Sequence, residues 1–300
     1  MSTVASSPCA VIELRLHGYP SIAVDGRAVP LALKHAFALV ARLAEARARL
    51  SRGSAAALLW PDAPEAVGRT RLRRLLHELN RRLGLPFVAG DADSLWLDAQ
   101  AAQVDCDWLQ VRRLARRVLR GEALAAAQAA PLLDRHAERL LDGFALGADA
   151  FDEWLDAARR EHAALLARAL QELALRWIDD GAPAAAQAAA ERLVRIDPCN
   201  EAGHACLIAA RAERGDAAGV ETAYFECAAA LREELGIRPS PLVERAYAAA
   251  VARCPQADGA VLHRLLARLA RLAPPHPAPR TLAGRRATTI MVSPIPTDCC

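Results

Sequence analysis

The spacing of hydrophobic and polar positions changes character along the chain. Val11-Ile12-Glu13-Leu14-Arg15-Leu16 partly alternates, and Ser21-Ile22-Ala23-Val24 is a second short apolar run. Asp25-Gly26 then leads into Ala28-Val29-Pro30-Leu31. Runs of this kind around an Asp-Gly turn predict a small antiparallel sheet. From residue 34 the period becomes helical. Phe37, Leu39, Val40 and Leu43 predict a helix over 34–47. Ser51 is placed to cap a second helix, which ends at Leu59 because Pro61 disfavours helix at Trp60. A third is predicted from Glu65 to Leu83, stopped by Gly84 with Pro86 just beyond. Phe87-Val88-Ala89 and Leu95-Trp96-Leu97 flank the turn Gly90-Asp91-Ala92-Asp93 as a last hairpin. A sheet, three helices and a terminal hairpin form the layout of a winged helix-turn-helix domain over residues 10–100.

Strand signals then vanish. From Asp105-Cys106-Asp107-Trp108-Leu109 the pattern is helical throughout. Gly181 and Gly215 lie 34 residues apart, each closing a helix turn, with second helices expected at 184–196 and 217–235. A helix-turn-helix period of that length points to tetratricopeptide repeats. The fold class is therefore mainly α: an α+β winged helix, then an all-α helical-repeat domain over 104–255. Trp154, Trp177 and Tyr224 fit packing between repeats, with a ligand role in the concave groove as the alternative. In the tail, 256–300, residues 261–272 form a short basic amphipathic pattern. It suits packing on the last repeat better than a membrane surface. Pro274 to Pro279 predict a stiff linker, followed by a disordered end.

Charge sharpens this division. Residues 1–100 carry 13 Lys and Arg against 9 Asp and Glu; residues 101–255 carry 19 against 24. Contact with a polyanion then belongs to the front of the chain. Within it, residues 69–82 hold six arginines and one acid. Rotating by about 100° per residue puts Leu72, Leu75, Leu76, Leu79 and Leu83 on one stripe. The opposite face carries Thr70, Arg74, His77 and Arg81, flanked by Arg71, Arg73 and Glu78. Such a face can be merely solvated, but inside a winged-helix layout it suits the DNA major groove, where arginine forks read guanine or grip phosphate. The expected base-reading residues are Thr70, Arg73, Arg74, His77 and Arg81. Arg52, Arg69 and Arg71 are expected at phosphates. Asp91 and Asp93 make the wing turn acidic, which disfavours its deep insertion between phosphates.

The residues also resemble a known family. Leu58-Leu59-Trp60-Pro61-Asp62, followed by Gly68-Arg69-Thr70-Arg71-Leu72-Arg73-Arg74-Leu75-Leu76-His77-Glu78-Leu79, resembles the DNA-binding half of SARP-type (antibiotic regulatory protein) activators. Their winged helix is similar to that of OmpR/PhoB regulators without a receiver domain. The likeness runs on to Leu83-Gly84, with Asn80-Arg81 standing where the family has its second arginine. Further along, Leu140-Leu141-Asp142-Gly143-Phe144, Phe151-Asp152-Glu153-Trp154-Leu155, Asp197-Pro198-Cys199-Asn200-Glu201 and Leu231-Arg232-Glu233-Glu234-Leu235-Gly236-Ile237-Arg238-Pro239-Ser240-Pro241 resemble the bacterial transcriptional activator domain. Together the two cover about residues 10–250. The resemblance implies double-stranded DNA as partner, bound at direct repeats by a head-to-tail homodimer, and contact of the 60–66 loop with RNA polymerase. The other reading is a repeat-type protein-interaction scaffold whose winged helix serves only for docking.

Enzymatic signals are missing from the sequence. It has no Gly-rich phosphate loop, H-E-x-x-H or G-x-S-x-G motif. Cys199, His204 and Cys206 do not converge on a helix as metal ligands. No catalytic residue, metal or cofactor is expected. The eight cysteines include no C-x-x-C pair and read as reduced thiols of a cytoplasmic protein. Neither a secretory signal nor a membrane span is expected.

Overall fold

The computed structural model describes residues 10–31, 33–46, 49–98 and 102–253, all within one compact unit that runs to residue 256. The expectations for 256–300, the basic helix and the Pro-rich linker, lie outside the described residues.

The chain opens with β1 (Ala10–Arg15), β2 (Ser21–Val24) and β3 (Arg27–Ala28). Asp25 and Gly26 both take positive φ, 49° and 76°, as a two-residue hairpin turn requires. The expected antiparallel sheet needs correcting on two counts. The third strand stops at Ala28, before Pro30, which has no N–H for a ladder. A fourth strand, β7 (Ala102–Cys106), joins the far edge and runs parallel to β1, giving the order β3-β2-β1-β7. The segment expected to begin the helical domain is thus first a strand.

Three helices follow: α1 (Lys34–Ala46), α2 (Arg52–Leu59) and α3 (Glu65–Leu83). The Ser51 side chain accepts from Ser54 N at 2.9 Å and caps α2. Gly84 ends α3 in the left-handed conformation. Gly68 faces α2, where an added Cβ would lie 3.2 Å from Ala56 Cβ, so the two helices pack through small residues. The wing is β5 (Val88–Gly90) with β6 (Ser94–Leu97), and β4 (Leu50–Ser51) pairs on the other side of β6.

The helical region holds α4 (Asp107–Leu119), α5 (Ala126–Leu133), α6 (Asp149–Asp179), α7 (Pro183–Ile196), α8 (Glu201–Glu213), α9 (Ala217–Leu235) and α10 (Pro241–Arg253). The 34-residue period appears as α6–α7 followed by α8–α9, with Gly181 and Gly215 at φ +69° and +72° in the two turns. Asn200 and Asp216 cap α8 and α9 by accepting from Gly203 N and Gly219 N, each at 2.8 Å. After α9, Ser240 N donates to the Glu201 carboxylate at 2.6 Å, tying the Gly236–Pro241 turn to the start of α8.

Two apolar clusters form the core. One gathers the sheet, α1–α3 and the wing together with Trp108, Leu140, Phe144, Phe151 and Leu155. The other gathers α4–α10, with Trp177 buried and Tyr224 packed against its side. Trp154 sits on the first cluster and donates to the Glu45 carboxylate of α1 at 2.8 Å. Polar links cross between β1 and the helices. The Asp107 carboxylate accepts from Leu16 N (2.8 Å) and His17 N (3.1 Å), and Leu141 N donates to Leu16 O (2.7 Å). The His17 ring stacks on His162 with centroids 5.5 Å apart.

Candidate nucleic-acid interface

α3 is held by the leucine stripe read from the sequence. Leu72, Leu75, Leu76, Leu79 and Leu83 are all buried. The remaining surface turns to solvent, and Thr70, Arg73, Arg74, His77 and Arg81 are all exposed.

That surface divides into two sides. On the wing side, Arg73, His77 and Arg81 line a groove with Arg52 from α2 and Val88, Gly90 and Leu95 from the wing; its volume is about 530 Å³. Gly90 is the close-approach point. A Cβ there would lie 2.7 Å from both Leu95 Cδ2 and Ser94 O, and 2.9 Å from Arg52 Nη2. On the other side, Arg71 and Arg74 border Trp60 and His35, whose rings stack 5.0 Å apart. Burial, then the Arg71 charge, lowers the pKa of His35 beside this arginine. Arg71 also faces a cleft of about 440 Å³ under the loop Trp60–Pro64. Arg69 lies near the start of α3, exposed and paired with Glu65 at 2.7 Å.

The predicted residues differ in what already occupies them. Within the described residues, Arg73, Arg74 and His77 make no hydrogen bond or ion pair. Thr70 donates its hydroxyl to Ala66 O at 2.9 Å, which leaves its oxygen free to accept only. Arg52 is half-buried, and its Nε donates to Asp91 O at 2.8 Å. It therefore joins α2 to the wing turn. Arg81 is forked onto Glu78 through Nε (2.9 Å) and Nη2 (2.7 Å). Arg82 donates from Nε to the same carboxylate at 2.6 Å. With Arg81 first and Arg82 second, these bonds push the Glu78 pKa down to about 2.

Two features were not visible in the residue pattern. Asn80, in the family's arginine position, pairs with the wing backbone in both directions: Nδ2 donates to Val88 O (3.0 Å) and Oδ1 accepts from Val88 N (3.1 Å). It fixes the wing to α3 as a strand partner would. The acidic wing turn is also altered in meaning. The Asp91 carboxylate accepts from Asp93 N and Ser94 N and pairs with Arg49. Those two backbone bonds, before any charge effect, lower its pKa. Arg49 in turn lies over the Trp96 ring, 4.1 Å from its centroid. One of the two wing acids is thus a turn-former neutralised by an arginine.

The cysteine and histidine group at and before the start of α8 is dispersed. Cys199 Sγ donates to Ala230 O, His204 bonds Pro198 O through Nε2, and Cys206 is buried in the second cluster.

Comparison with known proteins bears on the second half first. Residues 104–250 match the model of the bacterial transcriptional activator domain. Across both halves, the fold is similar to that of EmbR from Mycobacterium tuberculosis, solved in complex with a low-affinity phosphopeptide. The TM-score is 0.54 at 18% identity, covering 84% of this chain and 70% of that one. Residues 104–250 thus match a bacterial transcriptional activator domain, the second half of the pattern that the sequence resembles. At that identity the EmbR likeness is one of fold, and it agrees with a winged helix followed by a helical activator domain. No curated protein matches the chain. The matched domain is one found in transcriptional activators. Among the described residues, no helix is long and apolar enough to cross a membrane.

Proposed function

We propose that this chain is a SARP-type regulator, a cytoplasmic protein that reads a specific duplex sequence with α3 laid in the major groove. One observation carries the reading: Arg73, Arg74 and His77 stand exposed and unpartnered on the solvent-facing surface of a 19-residue amphipathic helix. Such a helix is about 28 Å long, enough to follow the groove through one recognition site. Arg73, Arg74 and His77 address base edges, with Thr70 accepting from an exocyclic amine and Arg81 on the wing side. Arg69 and Arg71, on either flank, meet phosphates. Arg52 sits beside the wing turn, where a phosphate reaching the groove would find it. Two copies bind direct repeats head to tail, and the Trp60–Pro64 loop faces RNA polymerase.

Selection of bound sequences from a random duplex pool tests the reading. A defined motif is expected, and its affinity should fall steeply with added salt as counterions are released. Arg74→Ala should cost about 1–3 kcal/mol on the selected site and relax one base position. A motif-free pool with no binding even at low salt would overturn the reading in favour of a protein-interaction scaffold.

A further inference from the structure

We propose that Glu78 is a positioning residue for base reading: it aims Arg81 at a guanine in the major groove. The inference rests on the reading of α3 as the DNA-reading helix.

Glu78 is the one acid among the six arginines of residues 69–82. Alone on a face turned to phosphates, it would oppose binding. Its carboxylate is not alone. Oε2 accepts from Arg81 Nε, and Oε1 accepts from both Arg81 Nη2 and Arg82 Nε. Arg82 is itself anchored, with Nη1 donating to Pro30 O at 3.0 Å in the loop after β3. The chain of bonds runs from the Pro30 carbonyl through Arg82 and Glu78 to Arg81. It begins on backbone and ends on an exposed guanidinium.

The geometry leaves a defined edge open. A guanidinium has five N–H groups. Glu78 takes the Nε–H and one Nη2–H. Both Nη1–H groups and the second Nη2–H remain, and this end pair is the fork that matches guanine O6 and N7. The Nε edge is therefore the one in use, and the end pair is left for a base. A free arginine loses rotamer freedom when it binds, and one held beforehand loses less. The same contacts fill most of the carboxylate's acceptor positions, which disfavours Glu78 itself as a reader of cytosine N4. Helical spacing permits this arrangement because positions three and four apart meet on one face.

The test uses the full chain and the motif it selects from a random duplex pool. Affinities are measured for that site and for its single-base variants with wild type, Glu78→Gln, Arg82→Ala, Arg81→Ala and the Glu78→Gln/Arg81→Ala double variant. Arg81→Ala should erase the preference at one G·C pair. Glu78→Gln, nearly isosteric, should reduce the preference at that same pair about tenfold, and the double variant should lose no more there than Arg81→Ala. Arg82→Ala should give a smaller loss at the same pair. A purely structural role would weaken all sites alike. If Glu78→Gln keeps the preference and tightens every duplex equally, the acid is only a repulsive charge and the proposal falls. A preference lost at a different pair, untouched by Arg81→Ala, would make Glu78 a direct reader and also overturn it. Both outcomes leave the α3 reading standing, whereas absence of any wild-type motif removes both.

Discussion

Exposed arginines of α3 and buried or half-buried arginines of the helical region are put to opposite use. On α3, Arg73 and Arg74 stand in solvent with no partner within the described residues. Between α4 and α9, four arginines reach inward to backbone carbonyls instead. Arg159 donates to Leu140 O and Leu141 O, Arg176 to Glu122 O, Arg192 to Asp134 O and Arg211 to Gly219 O. Arg112 is buried over the Trp108 ring and pairs with Glu161 at 2.8 Å. The helical region has the larger count of arginines, yet the face fit for a polyanion is on α3. Net charge alone does not locate such a face; exposed arginines gathered on one helix with a single acid among them do.

Arg192 gives the sharpest test of this contrast. It is 2% exposed, with Nε on Asp134 O and an ion pair to Glu138. Burial, then the Arg195 charge, lowers its pKa to about 10, so it stays charged at neutral pH. Arg192→Ala leaves the Glu138 carboxylate with only the longer pair to Arg139 and frees a loop carbonyl, and should cost about 3 kcal/mol in urea unfolding. DNA affinity per folded molecule should not change. Replacing both partners by apolar residues, Arg192→Met with Glu138→Leu, should recover much of the loss. A single variant as stable as wild type would break the comparison.

A second test uses acid. His162 is fully buried, bonded to Ala137 O at 2.6 Å, and its pKa is lowered to about 4, chiefly by burial. His17, stacked on it, is lowered for the same reason, against the opposing pull of Asp107. An imidazole with a depressed folded-state pKa favours the native state while it is neutral. Its contribution is complete above about pH 6.5 and is lost as pH falls towards 4. For His162 alone the slope approaches about 1.4 kcal/mol per pH unit. Urea midpoints at pH 7 and pH 5 should show the fall, and His162→Phe should flatten it.

The same contrast separates what the sequence reveals from what it hides. α3 runs from Glu65 to Leu83 as expected because its limits are local: Pro64 before it and Gly84 after it act without help from distant residues. Its leucine stripe is likewise a matter of rotation along one helix. Strand β7 is different. Ala102–Cys106 becomes a strand only by lying against β1, about 90 residues earlier, and short-range pattern carries no trace of that partner. The candidate site divides in the same way. Rotation puts Arg81 on the outer face, and it is exposed. Rotation does not show that Glu78 holds it, although an acid three and four residues before two arginines is a signal of that bond. Asn80 reads in sequence as a departure from the family and in the structure as the tether of the wing, because Val88 comes within reach only after the chain turns at Gly84.

The smallest expected effect lies at Arg69, where α3 most nearly resembles the helical region. Its pair with Glu65 spans one turn, and the two side chains are 50% and 71% exposed. Such a pair is screened by water and salt and contributes at most about 0.5 kcal/mol to stability. Arg69→Ala should therefore leave the urea midpoint almost unmoved. Binding should respond in a distinct manner. If Arg69 exchanges Glu65 for a phosphate, the variant weakens all duplexes alike, and the slope of log affinity against log salt becomes shallower by about 0.9. Base preferences should stay as in wild type. An unchanged slope would mean that Arg69 keeps Glu65 in the complex and behaves as the structural arginines do, which would move the edge of the DNA-facing surface to Thr70.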